Sequence, residues 1–406
     1  MKKRFSKLMA IVMVFALIVA FAAIPASAYT AIRGTSTTFN KYLILDENAK
    51  VPDVTFTYTI TPGVAVAARA PGTNGAEDKG TVAILAGIGT PSVGSAVFKG
   101  TGTNPDVPVT TEISGVTLET GKGHVDKTVT IDFSEITFSE PGIYRYVLTE
   151  QENAYKGISY DITNNNNKTR FLDVYVNDSD GVLSVGNYVL HKTATEIEPN
   201  NTSGSNAYSG TEKSVGFVNE FESANLEFGK EVIGNQGSKD KYFKFTLAIT
   251  NAQPNTEYNL VRDADATIAA NAATKTDYNG KPNPTSFTTD ANGAATVEFY
   301  LHDGQYITVK DLPYGSSYSV TEDEEDYFKR EGIQENVATH NSAIHTGAIS
   351  GTMTDANVYT GFTNERNGII PAGVLLTVAP FAIGLLLFGA LAIFFIARKK
   401  KRAEEE

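Results

Sequence analysis

The chain has 406 residues, no cysteine and a formal net charge of −12 at pH 7. The lack of cysteine excludes disulfides, a thiol nucleophile and thiolate metal sites. The acidic balance disfavours nucleic acid and anionic lipid surfaces as partners.

The N-terminus has the organisation of a secretory signal peptide. Residues 1–28 combine a basic start, an apolar run and the small-residue end Ala26-Ser27-Ala28. The mature chain is therefore predicted to begin near Tyr29. Because an exported chain without cysteine has no disulfides, another device is expected to stabilise its domains.

The body of the chain alternates between apolar and polar residues with a period of two. Clear examples are "VTFTYTI" (54–60), "LDVYVN" (172–177), "YFKFTLAI" (242–249) and "ATVEFYL" (295–301). Turn-forming residues separate them, as in "NDSDG" (177–181), which is predicted to be a hairpin turn rather than a calcium loop. No convincing amphipathic helix is present. The pattern predicts an all-β fold of antiparallel, immunoglobulin-like β-sandwiches.

A weak internal repeat predicts two tandem domains, residues 29–222 and 223–366. Each contains a Phe-x-Lys strand, in "STTFNKYL" (36–43) and "NLEFGKEV" (225–232). Each then has a segment ending in Thr-Glu, "GIYRYVLTE" and "GSSYSVTE", and closes with "GFVNE" or "GFTNE". The order lysine, glutamate, asparagine therefore occurs twice, as Lys41, Glu150 and Asn219 and as Lys230, Glu322 and Asn364.

These six polar residues are predicted to point into the cores. Alternate side chains of a strand share one face, and each of the six shares its face with apolar neighbours. Lys41, for example, lies in line with Phe39 and Leu43. A single such lysine is more often a surface residue, a glutamate an exposed strand end and an asparagine a turn cap. Recurrence in the same order favours burial instead.

Burial predicts a specific chemistry for each trio. Desolvation lowers the pKa of a lysine and raises that of a glutamate. A neutral amine is a nucleophile, and a protonated carboxyl can hydrogen-bond to the asparagine oxygen and relay protons to leaving ammonia. The predicted products are isopeptide bonds Lys41–Asn219 and Lys230–Asn364, with Glu150 and Glu322 as the catalytic carboxyl groups.

The C-terminus is predicted to cross a membrane. Residues 374–397 are apolar and long enough for one crossing, and residues 398–406 begin with the basic block "RKKKR" typical of a cytoplasmic flank. A buried core helix is the less favoured alternative, because it rarely combines this length, no charges and a basic terminus.

The lysine, glutamate and asparagine motifs resemble a known family. "TTFNKYLIL", "NLEFGKEVI", "YRYVLTE", "YSVTE", "GFVNEF" and "GFTNER" are similar to segments of the sortase-assembled major pilins of Gram-positive bacteria. The immunoglobulin-like domains of these streptococcal-type backbone pilins carry self-formed Lys-Asn isopeptide bonds. Residues 288–322 also resemble the wider class of collagen-adhesin-B-like domains. The resemblance covers most of the mature chain.

The resemblance implies a sorting signal in residues 367–373. Ile370, Pro371, Ala372 and Gly373 match the family pattern, with cleavage by a sortase expected between Ala372 and Gly373. Threonine usually precedes that glycine, so Ala372 is a departure, and a chain that stays membrane-anchored is left open. Polymerisation also implies an acceptor lysine near the end of the first domain, for which Lys213 and Lys192 are candidates.

The function predicted is a cell-surface pilus shaft subunit, with a wall- or membrane-anchored adhesin as the alternative. Expected partners are a sortase, neighbouring subunits, peptidoglycan and surface ligands. No cofactor or metal is expected, because the five histidines lack metal-ligand spacing and no phosphate loop is present. A receptor is disfavoured, because the nine-residue cytoplasmic tail is too short to signal. The only catalysis expected is the intramolecular bond formation.

Overall fold

The computed structural model describes residues 29–73, 79–194, 197, 213–262, 284–323, 329–336, 341–345 and 347–368. Every regular element in these ranges is a β-strand, which confirms the predicted all-β fold. In the same ranges no helix is long and apolar enough to cross a membrane. The predicted signal peptide (1–28) and membrane helix (374–397) lie outside the described residues.

The first thirteen strands form the unit that we call the N-terminal sandwich. They are β1 (Ile32–Arg33), β2 (Ser36–Asp46), β3 (Val54–Pro62), β4 (Leu85–Ala86), β5 (Ser92–Val93), β6 (Ala96–Phe98), β7 (Lys122–Asp132), β8 (Thr137–Phe138), β9 (Gly142–Gln151), β10 (Ile158–Ser159), β11 (Thr169–Ser179), β12 (Val182–His191) and β13 (Gly216–Phe221). One sheet has the order β10-β13-β2-β7-β5, and the facing sheet has the order β12-β11-β9-β3-β6, with β4 beside β9. Strands β1 and β8 form a separate small sheet.

The remaining strands form the C-terminal sandwich. They are β14 (Ser223–Ile233), β15 (Phe243–Thr250), β16 (Glu257–Arg262), β17 (Ser286–Thr288), β18 (Ala295–Leu301), β19 (Tyr306–Pro313), β20 (Ser317–Glu322), β21 (Lys329–Asn336), β22 (Asn341–His345), β23 (Ile349–Thr352) and β24 (Val358–Glu365). Their two sheets have the orders β17-β16-β19-β14-β24-β21-β22 and β18-β15-β20-β23.

A separate apolar core lies between the sheets of each sandwich. In the N-terminal core, the rings of Phe39 on β2 and Tyr58 on β3 meet edge to face, with centroids 4.9 Å apart. In the C-terminal core, Phe228 on β14 packs against Phe299 on β18 at 5.7 Å. Each sheet thus buries the apolar side of its period-two pattern against the facing sheet.

The period-two stretches form strands where the sequence predicts them. The four quoted segments lie in β3, β11, β15 and β18, and the apolar positions of β3 are buried in strict alternation. "NDSDG" forms the predicted hairpin turn, because Ser179 pairs with Val182 across two residues with positive φ, Asp180 and Gly181. This is the backbone that the right-handed twist of a hairpin requires.

The strand directions differ from the expectation in one respect. Most pairs are antiparallel as predicted, but the short strand β4 pairs with β9 in parallel, and so do β2 with β13 and β14 with β24. The first long strand and the last strand of each sandwich are therefore neighbours that run in the same direction. Parallel neighbouring strands need a long crossover connection and cannot be joined by a hairpin turn. No hairpin pattern in the sequence therefore identifies these strands as neighbours.

The two closing motifs place glycine differently against their partner strands. Gly216 has a φ of 147°, and a Cβ there would lie 1.7 Å from the carbonyl oxygen of Asn40. Gly361 occupies the same place in β24, but a Cβ there would lie 3.4 Å from its nearest neighbour, the hydroxyl of Tyr359. The close parallel contact of β13 with β2 therefore requires glycine, and that of β24 with β14 does not.

We expect Gly216→Ala to destabilise the N-terminal sandwich. Backbone strain of this kind costs about 1 to 3 kcal/mol, and the clash with Asn40 adds to it. The measurement is calorimetric unfolding in a Lys41→Met/Lys230→Met background, which cannot form the predicted cross-links. Gly361→Ala in the same background is the matched control and should shift its own sandwich by less than about 1 kcal/mol. Equal shifts would contradict this interpretation of the glycine.

Candidate functional site: two buried clusters of lysine, glutamate and asparagine

The N-terminal cluster lies between the two sheets of its sandwich. Lys41 on β2 and Asn219 on β13 come from one sheet, and Glu150 on β9 comes from the other. The exposed fraction is 0% for Lys41 and Asn219 and 1% for Glu150. The Lys41 Nζ atom lies 2.6 Å from Glu150 Oε1. An amine, a carboxyl and an amide therefore meet in a site closed to water.

The C-terminal cluster repeats this arrangement. Lys230 on β14 and Asn364 on β24 face Glu322 on β20 of the opposite sheet. All three are buried. Lys230 Nζ lies 3.0 Å from Glu322 Oε1, and Asn364 Nδ2 donates a hydrogen bond of 2.7 Å to the same oxygen. One carboxyl oxygen thus contacts both the amine and the amide.

The register of the parallel strands is identical at the two sites. In each, the lysine pairs with the phenylalanine of the closing motif, and the asparagine pairs with the residue two positions after the lysine. Since side chains two positions apart share a face, lysine and asparagine become neighbours inside the core. The pairs are Lys41 with Phe217 and Leu43 with Asn219, then Lys230 with Phe362 and Val232 with Asn364.

An aromatic ring covers each buried amine. Lys41 Nζ lies 4.5 Å from the ring centroid of Phe56, and Lys230 Nζ lies 4.4 Å from that of Phe243. The rings attract the charged form and keep water from the amine. Sequence reasoning missed both. The shared signal was a pair of aromatics with spacing two on the strand after each lysine strand, 56–58 and 243–245.

Burial shifts the pKa of both lysines and of Glu150. Desolvation lowers the pKa of Lys41 and of Lys230 from 10.5 to about 8, although the neighbouring carboxyl groups oppose the change. Desolvation also raises the pKa of Glu150, against the effect of Lys41. Lower amine basicity makes the neutral, nucleophilic lysine accessible near neutral pH.

The two clusters differ in what surrounds the glutamate. Glu150 pairs across β9 and β3 with Tyr58, whereas Glu322 pairs across β20 and β15 with Phe245. Burial raises the pKa of the Tyr58 phenol, and the charge of Glu150 raises it further. The N-terminal cluster therefore contains a neutral phenol, that of Tyr58, and the C-terminal cluster has the phenyl ring of Phe245 in the same position.

Asparagine orientation differs from the expected one. The sequence hypothesis had the carboxyl group bonded to the amide oxygen, but Asn364 presents its Nδ2 to Glu322. In the N-terminal cluster, Asn219 Oδ1 accepts a hydrogen bond of 2.8 Å from the backbone N–H of Asp161. Asn219 also opposes the rise in the Glu150 pKa, which is the effect of an amide N–H near a carboxylate. Since a backbone N–H can only donate, it fixes the oxygen of Asn219 on its own side and the nitrogen towards Glu150.

Both candidate acceptor lysines lie at one edge of the N-terminal sandwich. Lys213 is exposed and pairs by an isolated antiparallel bridge with His191. Lys192 is the residue after His191 and is partly exposed. They are therefore neighbours in space, although 21 residues separate them in sequence.

The predicted sorting residues Ile370, Pro371, Ala372 and Gly373 lie outside the described residues. No group of metal-binding side chains occurs in the part of the chain that the structure describes.

Comparison with known proteins identifies the N-terminal unit. Residues 38–222 match the family described as the Spy0128-like isopeptide containing domain. The match spans nearly all of the N-terminal sandwich, from β2 to β13. Residues 224–366 match a different family, described only as a domain of unknown function (DUF7601). The boundary between the matches falls between β13 and β14.

The similar proteins that span most of the chain are described as pilins. The chain is 28% identical over 403 residues to a pilin of Streptococcus pyogenes serotype M1, covering 97% of this chain and 99% of the relative. The crystal structure of a Streptococcus pyogenes major pilin is 22% identical, with a TM-score of 0.47, and covers 83% of this chain and 100% of that one. The T3.2 major pilin of the same species is 19% identical, with a TM-score of 0.47, covering 83% and 99%.

The lowered pKa of Lys41 predicts a pH-dependent stability for an N-terminal sandwich that cannot form its cross-link. Asn219→Ala removes the amide but keeps Lys41 and Glu150. Between pH 8 and 10.5 the unfolded chain binds more protons than the folded chain, because the Lys41 pKa is about 8 only when folded. The unfolding free energy of the N-terminal sandwich should therefore rise with pH across this window, by up to about 1.4 kcal/mol per pH unit.

Chemical denaturation at pH 7.5, 8.5 and 9.5 measures this slope. Lys41→Met/Asn219→Ala is the matched control, because it lacks the amine and otherwise shares every titrating group. Its slope should be smaller than that of Asn219→Ala. The same slope in both variants would mean that Lys41 titrates normally in the folded chain.

Proposed function

We propose that this chain is the shaft subunit of a Gram-positive surface pilus, built from two covalently stapled β-sandwich domains. The domains are residues 29–222 and 223–366. The proposed isopeptide bonds are Lys41–Asn219 and Lys230–Asn364, and the carboxyl groups of Glu150 and Glu322 promote them. In this proposal the chain is a structural protein, and its only chemistry is the bond formation within each domain.

One observation carries the proposal. A buried amine, carboxyl and amide meet in both sandwiches, with lysine and asparagine on adjacent parallel strands in the same register. Retaining three polar groups in an apolar core twice over is expensive if they serve packing alone. A reaction that converts the amine and the amide into one neutral secondary amide removes the desolvation cost of the buried amine.

The contacts in each cluster suit transfer of the asparagine acyl group to lysine. The neutral amine attacks the asparagine carbonyl carbon, and the neighbouring carboxyl takes its proton. The same carboxyl then gives a proton to the amide nitrogen, and ammonia leaves. In the C-terminal cluster a single oxygen, Glu322 Oε1, lies within 3.0 Å of both nitrogens, so the transfer requires little movement.

The relatives favour the pilin assignment over the adhesin alternative. The pilin of serotype M1 aligns over nearly the full length of both chains, and the N-terminal sandwich matches an isopeptide-domain family. A shaft subunit transmits tension through the ends of its domains. A covalent bond between the first and last strands carries that load, so neither sandwich has to unfold.

Attachment to other subunits forms the second part of the proposal. A membrane-embedded sortase would cleave after Ala372 and join its carboxyl group to a lysine of the next subunit, either Lys213 or Lys192. The chain would be exported by residues 1–28, held by residues 374–397 until sorting, and finally linked to its neighbours or to peptidoglycan at the cell surface.

Intact mass tests the cross-links. The recombinant chain of residues 29–368 should be lighter than its sequence mass by two ammonia molecules. Glu150→Ala and Glu322→Ala should each restore one, because each removes the proton relay of one site. Glu231→Ala, next to Lys230 but on the opposite face of β14, is a control that should leave the deficit at two. A wild-type chain at its full sequence mass would exclude the proposed bonds.

Cell-wall extracts test the polymerisation. If the chain is a shaft subunit, an antibody against it should detect a ladder of high-mass species that survives boiling in detergent. Either Lys213→Arg or Lys192→Arg should abolish the ladder while leaving the monomer and its two-ammonia deficit intact. A single anchored species in the wild type would instead favour the adhesin alternative.

A further inference from the structure

The N-terminal cluster contains a hydrogen-bond donor that the proposed reaction has not yet used. The backbone N–H of Asp161 donates to Asn219 Oδ1 at 2.8 Å, and both residues are fully buried. Asp161 follows β10 and has a φ of 43°, in the left-handed region. The chain thus adopts a disfavoured conformation at the residue whose N–H meets the reacting amide.

A buried ion pair holds this backbone segment in place. Arg170, on β11, donates from Nη2 to Asp161 Oδ1 at 2.8 Å, and its Nη1 lies 2.6 Å from Oδ2. Arg170 Nε also donates to the carbonyl oxygen of Gly216, at the start of the strand that carries Asn219. The same guanidinium therefore positions the donor and the strand that bears its acceptor.

Attack of Lys41 on Asn219 would place negative charge on the oxygen that this N–H contacts. The bond between Lys41 Nζ and the asparagine carbonyl carbon forms as the C=O π electrons move onto Oδ1. Because the Asp161 N–H holds this oxygen on its own side, the amide nitrogen is the end left towards Glu150, which is therefore placed to move protons rather than to stabilise the oxygen. A fixed backbone donor in a buried site is the arrangement that stabilises such an oxyanion most effectively.

We propose that the backbone N–H of Asp161 is the oxyanion donor of the N-terminal isopeptide reaction, and that Arg170 is its positioning residue. This inference rests on the proposed function. In the completed step the Lys41 proton passes through Glu150 to Nδ2, the carbon–Nδ2 bond breaks, ammonia leaves, and the electrons on Oδ1 restore the carbonyl group. Lysine and asparagine become one secondary amide, and Glu150 regains its starting protonation.

The C-terminal cluster lacks this device among the described residues. Asn364 Oδ1 has no hydrogen-bond partner there, although Asn364 Nδ2 donates a hydrogen bond to Glu322. The two reactions of one chain are therefore assisted unequally at the carbonyl oxygen. This makes the C-terminal site an internal reference for any change made at residue 161.

The test removes only the donor. Cell-free synthesis with the α-hydroxy analogue of aspartate at position 161 replaces the backbone N–H with an ester oxygen and keeps the side chain. The rate of ammonia loss is followed by peptide mass spectrometry, which reports the two cross-links separately. Loss of one oxyanion donor should slow the Lys41–Asn219 bond roughly 100- to 1,000-fold. The Lys230–Asn364 bond in the same molecules should form at its original rate.

Two control variants distinguish a catalytic role of the Asp161 N–H from a purely structural role of the same segment. Ile162 N–H bonds to the carbonyl oxygen of Val218 at 3.0 Å, so an ester at position 162 loosens the same segment without touching the reacting amide. Asp161→Asn keeps the N–H and tolerates positive φ, but weakens the pair with Arg170. Both should form the first bond much faster than the ester at position 161, and limited proteolysis should find all three chains folded.

Three results would overturn the inference. One is an unchanged rate with the ester at position 161, and another is equal slowing by the ester at position 162. The third is a rate for Asp161→Asn as low as that of the ester at position 161, which would assign the effect to the carboxylate. Failure of the proposed function is a different result, because the unmodified chain would then lose no ammonia at either site.

Discussion

The contact between a buried lysine and a buried glutamate is the constraint on which each sandwich depends. It joins the two sheets across each core, at 2.6 Å for Lys41 with Glu150 and 3.0 Å for Lys230 with Glu322. Removing one partner of such a pair typically costs about 3 to 5 kcal/mol, because the other charge stays buried and unpaired. Desolvation destabilises the charged pair and also lowers the lysine pKa. The free-energy cost of the buried charges and the reactivity of the neutral amine therefore have the same cause.

Topology decides where this constraint acts. Because β2 lies beside β13 and β14 beside β24, both in parallel, the reacting residues belong to the first and last long strands of each sandwich. Bonds there would close most of each domain into a loop. If the loop term of a disulfide applies, each closure contributes roughly 5 kcal/mol. That is comparable with the whole stability of many domains, and it would replace the disulfides that a chain without cysteine cannot form.

The two clusters reach the same trio with different surroundings. Tyr58 and the Asp161 backbone N–H contact the N-terminal cluster, whereas Phe245 occupies the position of Tyr58 in the C-terminal cluster. The shared features are the register, the aromatic cover and the shielded carboxyl. We infer that these shared features are the minimum for the reaction and that the additional polar groups adjust how fast it proceeds.

The sequence alone determined the all-β fold and the trio of residues at each site. Strand periodicity indicates which side chains are buried, and the internal repeat indicates which of the buried side chains are polar in both domains. The sequence could not supply the parallel pairing of the end strands, since that depends on the path of more than a hundred intervening residues. Nor could it find Tyr58, Asp161 or Arg170. Tyr58 looks like any inward aromatic of β3, and Asp161 matters through its backbone N–H, which every residue except proline possesses. Only the tertiary structure aims that N–H at the oxygen of Asn219, because its direction is set by a positive φ and by an arginine from another strand.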